Sequence, residues 1–96
     1  MNTEIKAMQF DLHDDAREYL EKKLVRIHNA EEMIVDLIIA LKKEKDFEAA
    51  ATVNFRWGGT IHVSENDFEL RAAIDKMIDK LEAKITKEKE KIKEKR

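Results

Sequence analysis

The three histidines of this 96-residue chain have the side chains best suited to metal binding or proton transfer. His13 precedes a predicted helix, His28 lies near the end of the same helix, and His62 lies in a predicted strand. Their spacing is not that of a zinc-binding helix motif, and the sequence contains no cysteine that could complete a metal site. The sequence therefore predicts no metal centre and no cofactor.

Neighbouring carboxylates occur in two pairs, at positions 14–15 and 31–32. General acid–base catalysis needs such groups to converge in a pocket shielded from water, and a two-layer domain of this length has little room for one. Ser64 has no histidine and carboxylate that the sequence would arrange around it. Gly58 and Gly59 lie between two predicted strands, which does not fit a phosphate-binding loop. We predict a binding protein that is not an enzyme and has no small-molecule substrate.

Positively charged side chains form the clearest functional pattern. The first predicted helix contains three of them: Arg17, Lys23 and Arg26. The second contains lysines that are three or four residues apart: Lys76, Lys80, Lys84 and Lys87. Two such stripes can bind the phosphate backbone of a nucleic acid. The alternative is an ordinary solvated helix surface, because acidic residues alternate with the lysines.

Length and composition limit the chain to one domain, which we assign to residues 1–96. Hydrophobic residues make up 43% and charged residues 42%, enough for a core with a densely charged surface. Residues 1–69 contain 9 Lys/Arg against 15 Asp/Glu, whereas residues 70–96 contain 10 against 6. The C-terminal part is therefore the expected side for a polyanion.

No N-terminal segment has the pattern of a signal peptide. The longest apolar stretch, residues 33–41, is interrupted by Asp36 and is too short to cross a bilayer. We therefore expect a soluble, cytoplasmic protein without a membrane partner, and the lack of cysteine fits a reducing compartment.

Alternating apolar residues predict four strands, at positions 3–9, 33–43, 47–57 and 60–64. In the second strand four side chains are predicted to share the buried face: Val35, Leu37, Ile39 and Leu41. Gly58 and Gly59 suit the tight turn of a hairpin between the last two strands. Phe55 and Trp57 before this turn can stack on a base, but we favour a position at the rim of the core.

Two helices complete the predicted fold. The first begins after His13 and ends in the polar run 28–32, and the second extends from Leu70 to Ile85. In residues 86–96 the only apolar residue is Ile92, so we predict a charged helical tail that frays. The order β-α-β-β-β-α predicts an α+β fold in which both helices pack on one face of a four-stranded, mostly antiparallel sheet.

Three segments resemble a known family: residues 16–24 (AREYLEKKL), residues 58–62 (GGTIH) and residues 72–81 (AAIDKMIDKL). They are similar to the ribosome hibernation-promoting factors, also called ribosome-associated inhibitors or sigma-54 modulation proteins. The resemblance covers nearly the whole chain and corresponds to the short form of the family or to the N-terminal domain of the long form. It implies the same order of elements, in a fold similar to a double-stranded-RNA-binding domain.

The resemblance implies that the protein binds the small ribosomal subunit and its 16S rRNA in the channel for messenger and transfer RNA. It also implies that translation is inhibited and ribosomes hibernate under stress or in stationary phase. The basic positions of the family correspond to Arg17, Lys23, Arg26, Lys80, Lys87 and Lys89. We expect the free protein to be monomeric. The alternative function is a protein-interaction module or transcription modulator that uses an exposed sheet face and the basic tail.

The chain departs from the family pattern at three places. Residues 69–71 (ELR) stand where the family usually has Asp-Met-Tyr, and Ala83 stands where it usually has arginine, with Lys84 beside it. The hairpin contains Arg56 and Trp57 where the family prefers small or polar residues. RNA contacts at these positions are expected to differ from those of the family.

Overall fold

The computed structural model of the chain describes the backbone of residues 1–94 and the side chains of residues 1–91. Its elements are β1 (Asn2–Met8), α1 (Asp14–Leu24), a 3-10 segment (Val25–Met33), β2 (Ile34–Lys43), β3 (Phe47–Phe55), β4 (Thr60–Asp67) and α2 (Leu70–Glu94). This order confirms the predicted α+β class with the arrangement β-α-β-β-β-α.

The strands form one sheet in the order β1-β2-β3-β4. β1 is parallel to β2, whereas the two other pairs are antiparallel, so the sheet is mostly antiparallel, as predicted. Parallel neighbours need a crossover connection, and α1 with the 3-10 segment provides it. β1 and β4 are therefore the two edges of the sheet.

The helices cover one face of the sheet, and the core lies between the two layers. Successive side chains of a strand point to opposite faces, so alternate residues of β2 and β3 enter the core. α2 contributes residues three and four positions apart, which form one stripe along a helix. The buried members are Leu20, Leu24, Ile27, Ala30, Ile34, Leu37, Ile39, Leu41, Ala49, Ala51, Val53, Phe55, Val63, Ala73, Ile74, Met77, Ile78, Leu81 and Ile85. Within residues 1–91 no polar or charged side chain is buried, so the charged groups of both helices reach the surface.

The start of β2 differs from the prediction. Simple alternation predicts that Val35 shares the buried face of Leu37, and this is wrong because the Val35 side chain is 43% exposed. The register between β2 and β3 shifts between Ile34 and Asp36, which makes Val35 an extra residue in its strand. Such a bulge interrupts the alternation locally. Ile34 and Leu37 therefore both reach the core although an odd number of positions separates them.

Strand boundaries also differ by a few residues. β1 ends at Met8, because Gln9 has a φ of 68° and leaves the extended conformation. β3 ends at Phe55, where the hairpin turn begins. β4 continues to Asp67 instead of ending at position 64, because its polar end still pairs with the start of β3 at Phe47.

Both helices differ from the predicted lengths. The α-helical geometry of α1 ends at Leu24, and the chain continues to Met33 as a 3-10 segment. α2 extends to Glu94, so the described part of the charged tail is helical, and its fraying stays a prediction. Lys95 and Arg96 of that tail lie outside the described residues. In the part of the chain covered by the structure, neither helix combines the length and the apolar character needed to span a membrane.

Leu37→Ala is expected to lower the free energy of unfolding by about 2 to 5 kcal/mol, because it leaves a cavity at a fully buried position. Val35→Ala, two residues earlier in the same strand, is the matched control and should cost less than about 1 kcal/mol. Chemical denaturation followed by circular dichroism measures both losses. Equal losses in the two variants would contradict the bulge that turns Val35 outward.

Candidate nucleic-acid interface

The packing of α2 on the sheet determines which of its charged residues lie beside β4. Near the start of the helix, Lys76 Nζ lies 2.9 Å from Asp67 Oδ2 at the end of β4. Two turns later, Lys84 Nζ donates to the backbone carbonyl of His62, at 3.3 Å. Helical geometry places five lysines on this flank within an arc of about 80°. We call them the lysine row: Lys76, Lys80, Lys84, Lys87 and Lys91.

The lysine row is about 22 Å long, and most of its charge faces the solvent. Lys80 and Lys87 are exposed, and neither forms an ion pair with any side chain of residues 1–91. Lys91 is 69% exposed and lies 3.7 Å from Glu88. A hydrogen bond to Asp67 raises the pKa of Lys76. The row is therefore an accessible line of positive charge along one edge of the domain.

The opposite flank of α2 is acidic and faces α1. Nε and Nη2 of Arg26 each lie 3.1 Å from an oxygen of Glu82, and Nη1 lies 2.9 Å from Asp79. The hydrogen bonds to Glu82, and then those to Asp79, raise the pKa of Arg26 above its already high ordinary value. A two-pronged pair of this kind fixes the direction of the guanidinium. Arg26 is thus bound to carboxylates of its own chain.

Arg26 belongs to the 3-10 segment, and a second group of contacts joins α1 itself to α2. Lys23 Nζ lies 3.4 Å from Asp75, and the Tyr19 hydroxyl donates to the same carboxylate. This hydrogen bond is the main reason why the pKa of Tyr19 is raised. Arg71 lies 3.7 Å from Asp15, and its guanidinium packs 5.0 Å above the Tyr19 ring. We call these contacts, together with those of Arg26 described above, the interhelical network.

The structure divides the predicted basic residues among three places. The lysine row brings four of them together: Lys76, Lys80, Lys84 and Lys87. Lys23 and Arg26 face the carboxylates of α2, and Lys89 donates to the carbonyl of Asn29 at 3.4 Å. Arg17 lies on the β1 side of α1, where it lines a cleft of about 370 Å³. The predicted residues of α1 and of the 3-10 segment therefore do not continue the lysine row.

Lys91 completes the lysine row, although it is not among the residues predicted above. The signal that identifies it is its spacing of four from Lys87. That spacing has structural meaning only because α2 continues past Ile85.

Side chains suited to other chemistry are dispersed. His13 and His28 are exposed on different elements, and His62 Nδ1 lies 2.9 Å from Thr52 Oγ1 on the uncovered face of the sheet. Among the described residues, no three His, Cys, Asp or Glu side chains are grouped in a way that could hold a metal ion. The lysine row is therefore the candidate site.

The fold and the lysine row define a small α+β domain with a cationic edge along α2. The family model described as "Sigma 54 modulation protein / S30EA ribosomal protein" matches residues 3–93. The chain therefore belongs to this family, which confirms the resemblance seen in its sequence.

Individual relatives agree with this assignment. The ribosome hibernation promoting factor of Escherichia coli is 30% identical over 94 residues, which cover 98% of this chain and 99% of that protein. The protein of the same name from Azotobacter vinelandii is 31% identical over 93 residues, with coverages of 95% and 85%.

Solved structures share the fold. The Protein Y N-terminal domain of Thermus thermophilus has a TM-score of 0.79 at 28% identity, covering 91% of this chain and 98% of that domain. A ribosomal subunit interface protein from Coxiella burnetii has a TM-score of 0.84 at 27% identity, with coverages of 93% and 98%. The sheet with two helices is therefore common to this chain and to both proteins.

Asp67 stabilises the start of α2 in a way that depends on pH. Its Oδ1 accepts the backbone N–H of Glu69 at 3.0 Å, and this bond, followed by the bond from Lys76, lowers the pKa of Asp67. A carboxylate whose pKa is lower in the folded state stabilises the fold above its unfolded pKa of about 4. That contribution is lost as the pH falls through the folded pKa.

Asp67→Asn is expected to make the melting temperature fall less steeply as the pH is lowered from 5. The variant lacks the carboxylate whose protonation removes this stabilisation. Asp11→Asn is the control, since its exposed carboxylate forms no ion pair or side-chain hydrogen bond within residues 1–91. Thermal unfolding at a series of pH values gives the comparison. Parallel curves for the wild type and Asp67→Asn would contradict the role assigned to Asp67.

Proposed function

We propose that the protein binds the small ribosomal subunit through 16S rRNA, in the channel that messenger and transfer RNA use, and thereby inhibits translation. In this proposal it acts in the bacterial cytoplasm as a hibernation factor under stress or in stationary phase, and it is not an enzyme. The observation that carries the proposal is the exposed lysine row on the flank of α2 beside β4. The family of the protein and the names of its relatives point to the ribosome as the partner.

The charge distribution supports a polyanionic partner despite a formal net charge of −2. A polyanion responds to the local field, which is positive along the lysine row. Each lysine that neutralises a phosphate releases counterions, so the affinity falls with salt by about 0.7 to 0.9 log units per log unit for each contact. The acidic remainder of the surface repels RNA and leaves α2 as the favoured side of approach.

The predicted RNA-binding residues differ in what binding would require of them. Lys80 and Lys87 need only exchange water for phosphate, whereas Lys84 must leave the carbonyl of His62. Lys23 and Arg26 would have to exchange carboxylate partners for phosphate. We therefore propose the lysine row as the main contact. The four other predicted residues take secondary places: Arg17, Lys23, Arg26 and Lys89.

The uncovered face of the sheet supports the second candidate function, a protein-interaction module or transcription modulator. Its centre consists of small or uncharged side chains on three adjacent strands: Ile38, Ala40, Ala50, Thr52 and Ser64. Within the described strands this face contains no phenylalanine, tyrosine or tryptophan on which a base could stack, and its one imidazole, that of His62, is hydrogen-bonded to Thr52. A protein fits this flat surface better than RNA does.

Co-sedimentation of the wild-type protein with purified small ribosomal subunits tests the proposal at low and high salt. Binding at low salt that weakens steeply as salt rises is expected. Lack of binding at low salt would refute ribosome binding and favour the protein-interaction module.

Replacing Lys80, Lys84 and Lys87 by Ala is expected to weaken subunit binding and to reduce its salt dependence by about 2 to 3 log units per log unit, because three phosphate contacts are lost. The melting temperature should stay nearly unchanged, since the side chains are exposed and alanine favours helix.

The matched control replaces three exposed lysines elsewhere, Lys6, Lys43 and Lys45, by Ala and changes the net charge equally. It should bind like the wild type. Equal weakening in both triple variants would mean that only net charge matters, and a large loss of stability in the first would assign its lysines a structural role.

A further inference from the structure

The hairpin between β3 and β4 presents an aromatic ring to solvent. Trp57 is 46% exposed, and its indole stacks on the buried Phe55 ring with a centroid distance of 4.7 Å and an angle of 7° between the planes. One face of the indole is therefore supported by the core, and its orientation is set by that support. A ring held flat in this way offers a ready platform for another planar group.

The hairpin turn leaves space for this ring. Gly58 has a φ of 93°, a conformation that other residues rarely adopt. A β-carbon at Gly59 would lie 3.1 Å from Nε1 of Trp57, so a side chain there would push against the indole. The turn closes through hydrogen bonds from Phe55 N to Gly59 O (2.8 Å) and from Gly58 N to Phe55 O (3.0 Å). The conformation of the turn therefore fixes the position of Trp57.

Trp57 lies toward the same end of the domain as the C-terminal half of the lysine row. α2 runs antiparallel to β4, with Lys84 level with His62. From there the strand reaches the hairpin within a few residues, and the helix continues for about 15 Å in the same direction to Glu94. Phe55 faces the helix layer, and Trp57 stacks on it from beyond the strand end. The indole and the last lysines of the row therefore lie at one end and on one side of the sheet.

The hairpin region lacks the acidic side chains that cover the rest of the molecule. Residues 49–64 contain no aspartate or glutamate, although the chain contains 21 of them, and no other stretch without acids is as long. Arg56 next to Trp57 is exposed. The hairpin itself therefore carries one full charge, the positive charge of Arg56, whereas Glu31 and Glu32 lie at the neighbouring end of the 3-10 segment, where the Met33 carbonyl accepts the Arg56 backbone N–H at 3.0 Å.

We propose that Trp57 is a stacking site for an unpaired nucleobase of an RNA strand whose phosphates follow the lysine row. This inference rests on the proposed function and extends it, because phosphate contacts position RNA whereas an aromatic face selects exposed bases. The partner is thereby specified as a single-stranded or bulged RNA segment. A regular duplex, whose bases are already stacked, would contact the lysines alone.

The protein contains a single tryptophan, so its fluorescence reports on this site directly. Titration with a short single-stranded oligoadenylate at low salt is expected to quench the Trp57 emission. An abasic phosphodiester of the same length carries the same charge without bases, and it should bind the lysine row without this quenching. Quenching of equal size with both ligands would overturn the stacking site.

Variants separate stacking from packing. Trp57→Leu keeps an apolar cover on Phe55 but removes the aromatic face. Its binding is measured by the anisotropy of a labelled oligoadenylate, because the variant has no tryptophan, and it is expected to be about 10-fold weaker with an unchanged salt dependence. Trp57→Phe should retain most of the affinity. Melting temperatures of both variants identify any loss of fold. Wild-type affinity of a folded Trp57→Leu would overturn the inference.

Purified small subunits distinguish this inference from the proposed function. If wild-type protein binds neither subunits nor RNA, the proposed function fails. If it binds subunits through the lysine row but shows no quenching, only the stacking site fails. If Trp57→Leu weakens binding to subunits but not to the oligoadenylate, Trp57 contacts a ribosomal protein and the assignment to a nucleobase is wrong.

Discussion

Burial of the apolar stripe of α2 against the sheet is the constraint on which the charged surface depends. Because Ile74, Met77, Ile78 and Leu81 must all face the core, the orientation of the helix about its own axis is fixed. That rotation turns the carboxylates of α2 toward α1 and the lysine row toward β4. Charges that alternate along the sequence are thereby sorted largely onto two flanks. Lys80, Lys84 and Lys87 are separated from the carboxylates that face α1, whereas Lys76 and Lys91 pair with Asp67 and Glu88.

The two flanks then have different roles. On one flank the interhelical network pairs Lys23 of α1 and Arg26 of the 3-10 segment with carboxylates of α2, and these pairs join both segments to α2. Each of these exposed pairs contributes little stability alone, but together they orient both helices. On the other flank the lysines retain their charge for a partner. In our proposal this cationic edge of an acidic protein binds RNA, and Trp57 at one end of the edge distinguishes an open strand from a duplex.

Most of the fold could be predicted because the chain follows simple periodicity. Alternation placed Leu37 and Ile39 in the core, and spacings of three and four identified α2. Val35 could not be placed, since a bulge depends on the register with β3. The same distinction applies to the site. The spacing of Lys76 to Lys87 was enough to group them, whereas the partners of Arg26 depend on how two helices approach each other, which a single sequence does not specify.

Binding through the lysine row can be tested by the reactivity of individual lysines toward an acylating reagent, compared between free and subunit-bound protein by mass spectrometry. Strong protection of Lys80, Lys84 and Lys87 is expected in the complex. Lys6, Lys43 and Lys45, which lie outside the lysine row, should react at their free rates. Protection of these three lysines with continued reactivity of the lysine row would contradict binding through α2 and place the ribosome against another surface of the domain.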